Sequence, residues 1–175
     1  VEERGVLESA HRIRQYLDAI FRYAIQTHRL SANPTPHAET LTPAVASKFA
    51  SITEPKAVGA LIRAIRGYTG TPVTVAALKL APLLFVRPGE LRAAEWAEFD
   101  LDAAEWTIPA ARMKMRRPHI VPLSSQALAI LRELHPLTAQ RTSVFPTERR
   151  APRCLAANTL TVALRALGYT GEQMT

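Results

Sequence analysis

Arg87 closes the apolar run Leu83-Leu-Phe-Val86 and is followed by Pro88-Gly-Glu90. A proline lacks the N–H that a first helical turn cannot use, so this spacing predicts a helix starting at Pro88 with Arg87 at its entrance. Glu90 falls in that first turn, where the helix dipole favours a carboxylate and where it can brace the guanidinium. A braced, permanently charged fork suits two oxygens of a phosphate group. Read by themselves, the same residues also fit an ion pair with no chemistry to do, the commoner use of such charges.

A second cationic group follows. Arg112, Lys114 and Arg116 recur at period two, with Met113 and Met115 between them. As a strand this gives one cationic and one apolar face. The pattern runs through Arg116-Arg-Pro-His119 into His-Ile-Val-Pro-Leu123, and no acidic residue lies between Glu105 and Glu133 to neutralise it. Arg112, Arg116 and Arg117 are candidates for contacts to a nucleic-acid backbone, which position a protein without reading sequence. The alternative is a solvated basic hairpin tip. His119 fits either a DNA contact or a turn-stabilising role.

Four segments in this order and spacing, Arg87-Pro-Gly-Glu-Leu-Arg92, Trp96-Ala-Glu-Phe-Asp-Leu-Asp102, Trp106-Thr-Ile-Pro109 and Met113-Lys-Met-Arg-Arg-Pro-His-Ile-Val-Pro-Leu-Ser124, resemble the tyrosine recombinases, most closely the integrases of phages and genomic islands. The resemblance implies a mainly α catalytic domain with a small antiparallel β-sheet, incomplete at its C-terminus. It also implies DNA cleavage by a tyrosine hydroxyl through a 3′-phosphotyrosine intermediate, with no metal or nucleotide cofactor. By motif, Arg87 is then the first of two phosphate-holding arginines, Glu90 its supporting carboxylate, and Lys114 the hairpin lysine that protonates the leaving 5′-oxygen. The implied partners are double-stranded DNA at attachment sites and other recombinase protomers, which form a tetrameric synapse in a full protein. The family's His-x-x-Arg helix and nucleophilic tyrosine are expected beyond Thr175, so the chain alone is predicted inactive. His11-Arg-Ile-Arg14 matches His-x-x-Arg as a string but precedes Arg87, and Tyr169 lies ahead of where the second arginine would come. Tyr16, Tyr23 and Tyr68 are expected as packing residues.

Composition agrees with a polyanionic partner. Among 175 residues, Lys and Arg number 22 against 15 Asp and Glu, a formal net charge of +7. The isoelectric point near 10.2 favours nucleic acid or an acidic membrane surface over an acidic protein. At 47% hydrophobic residues the chain reads as globular rather than disordered. Its one cysteine, Cys154, has no partner for an internal disulfide, and no Cys/His cluster has metal-ligand spacing. No apolar run approaches the ~18 residues that span a bilayer. A reducing cytoplasm and no membrane partner are the expectations.

Apolar residues at helical spacing from about Leu7 to His28 predict a long amphipathic helix, which the resemblance places at the end of a core-binding domain, residues 1–33. Ser31-Ala-Asn-Pro-Thr-Pro36 opens a polar, proline-punctuated linker, placed at 34–48. A partial catalytic domain, 49–175, then begins with a helix capped by Thr53 and a second capped by Thr71 or Thr74, with Pro82 expected to kink it. Glu98–Leu101, Glu105–Pro109, Arg112–Met115 and Ile120–Leu123 are candidate strands. Ser124 and Asn158 are expected to cap two further helices, the last stopped by Gly168. Two competing functions fit less well. A non-catalytic DNA-binding regulator would not require Arg87 together with Lys114, and a helical protein-interaction domain leaves an unpaired cationic strand without a purpose.

Overall fold

A computed structural model describes residues 7–35, 50–147, 154–171 and 173. It divides into two units, Val1–Lys48 and Phe49–Thr175. Most of the expected linker, 34–48, lies outside the described residues.

In the first unit, α1 (Leu7–Gln26) is an amphipathic helix that buries none of its residues. Asp18 pairs with Arg22 at 2.9 Å, one helical turn on, and accepts a hydrogen bond from Asn33 Nδ2 at 2.6 Å. That second contact folds the chain after α1 back along the helix. His28, at φ 56°, makes the left-handed turn that ends it. Tyr16 and Tyr23, expected to pack, are exposed on this helix.

The second unit is built on α3 (Pro72–Leu84), whose Ala76, Ala77, Leu78, Leu80 and Leu84 are buried. Such a helix, apolar nearly all round, must be covered on several sides. It contacts α2 (Pro55–Arg66), α4 (Pro88–Arg92), α5 (Ser125–Thr138) and α6 (Thr159–Ala166). Thr71 is the cap that starts α3, its Oγ1 accepting from Thr74 N at 3.3 Å. The helix continues through Pro82 for two further residues. Glu54, rather than Thr53, caps α2 with both carboxylate oxygens on the free N–H groups of Lys56 and Ala57. Ser124 caps α5 as expected. Asn158 occupies the position before α6 but makes no side-chain cap there. Gly168, at φ 91°, ends α6, with its own N–H on Arg165 O and the Tyr169 N–H on Leu164 O, the paired bonds that satisfy a helix's last carbonyls.

The sheet has three antiparallel strands in the order β1 (Phe99–Asp100), β2 (Glu105–Ile108), β3 (His119–Pro122). Alternation on β2 puts Trp106 and Ile108 fully inside and Glu105 and Thr107 outside. Phe99 stacks on Trp106 with ring centroids 5.0 Å apart. The expected strand at Arg112–Met115 does not form: Ala110–Arg112 is a 3-10 turn and β3 begins only at His119. Period two over a few residues also fits a turn followed by a loop, and here local turn bonds replace ladder pairing.

Val144 and Phe145 run beside the C-terminal end of α4 and are fully buried. Backbone bonds from Val144 N to Ala94 O, 2.9 Å, and from Trp96 N to Thr142 O, 3.0 Å, hold them there. Arg92 then ties Leu155 to α4 through its carbonyl at 3.2 Å and touches Cys154 Sγ at 3.5 Å. The α4 helix is only five residues long, and these lateral bonds, more than helix propensity, keep its direction.

Candidate functional site

Arg87 sits where α3 has just ended. Leu84 is buried, Val86 packs on the core, and Arg87 itself is extended (φ −64°, ψ 144°) before Pro88 begins α4. The Glu90 carboxylate turns back on it twice: Oε2 accepts from the Arg87 backbone N–H at 3.0 Å and Oε1 from Arg87 Nη1 at 2.6 Å. Glu90 thus satisfies an orphan donor of the helix start and fixes the guanidinium with the same group. The Glu90 side chain is 10% exposed and that of Arg87 62% exposed. A sheltered carboxylate therefore holds one edge of a guanidinium whose other donors face solvent, the arrangement needed to receive an anion from outside.

Burial, the largest single influence, pushes the Glu90 carboxyl up. It is outweighed by the hydrogen bonds from the Arg87 side chain and backbone and by the charges of Arg87 and His119, and the carboxyl lies below its ordinary value. A depressed carboxyl stabilises the fold above its unfolded pKa and loses that contribution as pH falls through the folded value. The urea midpoint of the wild-type protein should therefore exceed that of Glu90→Gln at neutral pH, and the gap should close below about pH 4, the ordinary glutamate range. A gap that stays constant down to about pH 3 would mean that the charge on Glu90 is not what braces Arg87.

His119, the first residue of β3 and paired with Ile108, is exposed, and its charge acts on Glu90. The sheet thus brings His119 into the electrostatic neighbourhood of the Arg87–Glu90 pair.

Arg112 is placed quite differently from the expectation. Its Nη2 donates to Glu98 Oε2 and its Nη1 to the Ala93 carbonyl, both as short contacts. Glu98 Oε2 also accepts from Trp106 Nε1 at 3.0 Å and from Glu95 N at 3.3 Å. The two side chains are 23% and 9% exposed, and Arg112 Nε is buried without a partner among the described residues. The guanidinium expected on a phosphate is therefore turned inward, joining the end of α4 to the sheet at the root of the basic loop. Glu98 lay inside a recognised motif but carried no expectation of a role. Its 3-10 turn, Trp96–Glu98, aims the carboxylate into the fold, and no periodicity announces that.

Beyond Arg112 the loop is pinned by Met113, which packs on the core. Met113 O accepts from Arg116 N at 2.9 Å, closing a tight turn with Arg116 left-handed at φ 50°. Lys114 and Met115 are the middle residues of that turn. Lys114, Arg116 and Arg117 are exposed and enter no ion pair among the described residues.

A family profile described as "Phage integrase family" matches residues 52–173, and one described as "Phage integrase central domain" matches residues 1–40. The chain belongs to the phage integrase family, the tyrosine recombinases. It is 38% identical to "Putative protein IntB" of Escherichia coli (strain K12) over 97% of its own length and 46% of that protein's. To the integrase of Enterobacteria phage P4 it is 36% identical over 97% of its length and 41% of the relative's. This integrase chain therefore spans less than half the length of the curated relatives it matches. Its fold is also that of a lambda integrase dimer solved bound to a COC' core site, with TM-score 0.70 and 18% identity over 96% of this chain and 48% of that one. A lambda integrase tetramer bound to a Holliday junction gives TM-score 0.69 at 18% identity over 99% of this chain and 50% of that one. The fold class expected of the integrase sequence, helix-rich with a small antiparallel sheet, is the one observed. No helix among its described residues is long and apolar enough to cross a membrane.

Proposed function

We propose that this chain is the part of a site-specific DNA recombinase that grips the scissile phosphate, in a protein that cuts and rejoins DNA through a 3′-phosphotyrosine intermediate. The observation that carries the proposal is the exposed Arg87 guanidinium clamped from behind by a sheltered Glu90, in a chain of the phage integrase family. In this reading Arg87 holds non-bridging oxygens, whose charge grows as the tyrosine oxygen attacks phosphorus. Preorganised donors meet that charge without reorganising. The P–O5′ bond breaks as the P–O(Tyr) bond forms; the tyrosine O–H releases its proton to solvent, and Lys114 passes one to the departing 5′-oxygen and is reprotonated from solvent. One phosphodiester replaces another in the exchange, so rejoining is the same reaction reversed and neither metal nor nucleotide is required.

Arg116, Arg117 and His119 rest on the DNA backbone beside that phosphate. Arg112, committed to Glu98, positions the loop that carries Lys114 instead of touching DNA. The substrate is a double-stranded attachment site in the cytoplasm. The solved tetramer of lambda integrase on a Holliday junction supports further protomers of the same protein as partners on DNA.

Incubating the 175-residue chain with a nicked duplex tests this. The duplex should be retained without a covalent adduct, because the chain supplies Arg87 and Lys114 but not the second arginine or the nucleophile. Each phosphate contact contributes about 0.9 to the slope of log K against log salt, so Arg116→Ala with Arg117→Ala should flatten the slope by about 1.8. An unchanged slope would remove the loop from the DNA, and an adduct would place the nucleophile inside this chain.

A further inference from the structure

We infer that Phe85 is a DNA-contacting residue of this integrase, its ring packing on the deoxyribose next to the phosphate held by Arg87. The inference rests on the DNA reading above and adds to it a contact that is apolar.

Two unfavourable features meet at this residue. Phe85 has φ 52° and ψ 29°, the left-handed region in which a bulky side chain is an outlier and which glycine or asparagine enters far more easily. The residue is 92% exposed, the most exposed large apolar residue among the described ones. A buried ring would explain the strain and an unstrained backbone would make the exposure ordinary. The combination gives the isolated fold nothing.

Its neighbours make the placement rigid. Leu84 on one side is buried and Val86 on the other packs on the core, so the backbone between them reverses over a single residue. Strained residues persist where the surroundings over-determine them, and they gather where a ligand is gripped. Here the reversal ends at Arg87, two positions on, which is itself fixed by Glu90. A phosphate on the guanidinium brings its own sugar and base within reach of the chain that presents Arg87. In a duplex the base faces are stacked on one another, so the deoxyribose is what the ring meets, and a contact to sugar is the same at every sequence.

The test compares Phe85→Gly and Phe85→Asn, which both accept a left-handed backbone, with Phe85→Trp, which keeps the aromatic ring. In the 175-residue chain with a nicked duplex of mixed sequence, thermal midpoints and Kd are measured across a salt series. The Gly and Asn variants should keep or raise the thermal midpoint while binding roughly ten-fold more weakly, the scale of re-exposing one large apolar side chain. Their salt slope should equal that of the wild type, because no phosphate contact is removed, and Phe85→Trp should bind like the wild type. An unchanged Kd in the Gly and Asn variants overturns the inference. So does a loss of affinity that tracks a fall in thermal midpoint, which would make Phe85 a packing residue, or one that comes with a flatter salt slope, which would place the effect at Arg87. Failure of the wild-type chain to bind DNA at all would instead overturn the proposed function, and this contact with it.

Discussion

Replacing Arg87 with lysine, in a polypeptide that continues this chain through a nucleophilic tyrosine, should lower the cleavage rate by about two to three orders of magnitude, the scale of removing one preorganised donor to a developing oxyanion. DNA affinity should change little, because a cation remains among several others. Lysine presents one mobile point charge, whereas the Arg87 guanidinium is planar and held along one edge by Glu90 Oε1 at 2.6 Å. The Glu90 carboxylate would also keep its bond to the backbone N–H of residue 87, so the start of α4 survives the exchange. Single-turnover cleavage and equilibrium binding measured side by side decide the matter. A lysine variant that cleaves at the wild-type rate would reduce the Arg87–Glu90 pair to a structural ion pair.

The second large effect is on stability. Glu98→Ala should cost several kcal/mol in urea unfolding, at most the ~3–5 kcal/mol of breaking a fully buried ion pair from one side, because it strands the partly buried Arg112 and leaves Trp106 Nε1 and Glu95 N without their acceptor. Arg112→Met should cost less, since Glu98 keeps its other two donors. In the double variant the two losses should fall well short of additive, the mark of a direct interaction. A cost for Glu98→Ala under about 1 kcal/mol, the value for an exposed pair, would show that the link is solvated and does not anchor the loop. In a polypeptide that continues this chain through a nucleophilic tyrosine, and with Lys114 in the role proposed for it, a Glu98 variant that stays folded should also lose cleavage more than binding, because the turn carrying Lys114 begins at Met113, one residue beyond Arg112.

Local chemistry accounts for what could be read in advance. The entrance of α4 was legible because proline, a carboxylate in the first turn and the preceding arginine act within four residues of one another, and the observed hydrogen bonds are those this spacing dictates. The caps at Thr71 and Ser124 and the stop at Gly168 are equally short-range. Family membership was legible for a related reason: four motifs keep their order and spacing along the chain, whatever the fold does with them. The basic loop alternates like a strand and is not one, because alternation of residue types is silent on whether a neighbouring strand exists to pair with. The tertiary structure decided that the pairing partner of β2 begins at His119. It also decided that Arg112 has an acid to meet at Glu98, fourteen positions earlier in the chain. Only packing reveals such a meeting, since charges distant in sequence find each other through the elements that carry them. The same holds for Phe85, which in the sequence is one more apolar residue of Leu83-Leu-Phe-Val86. Only when its neighbours have been drawn into the core on either side does the backbone have to reverse there and turn the ring out to solvent.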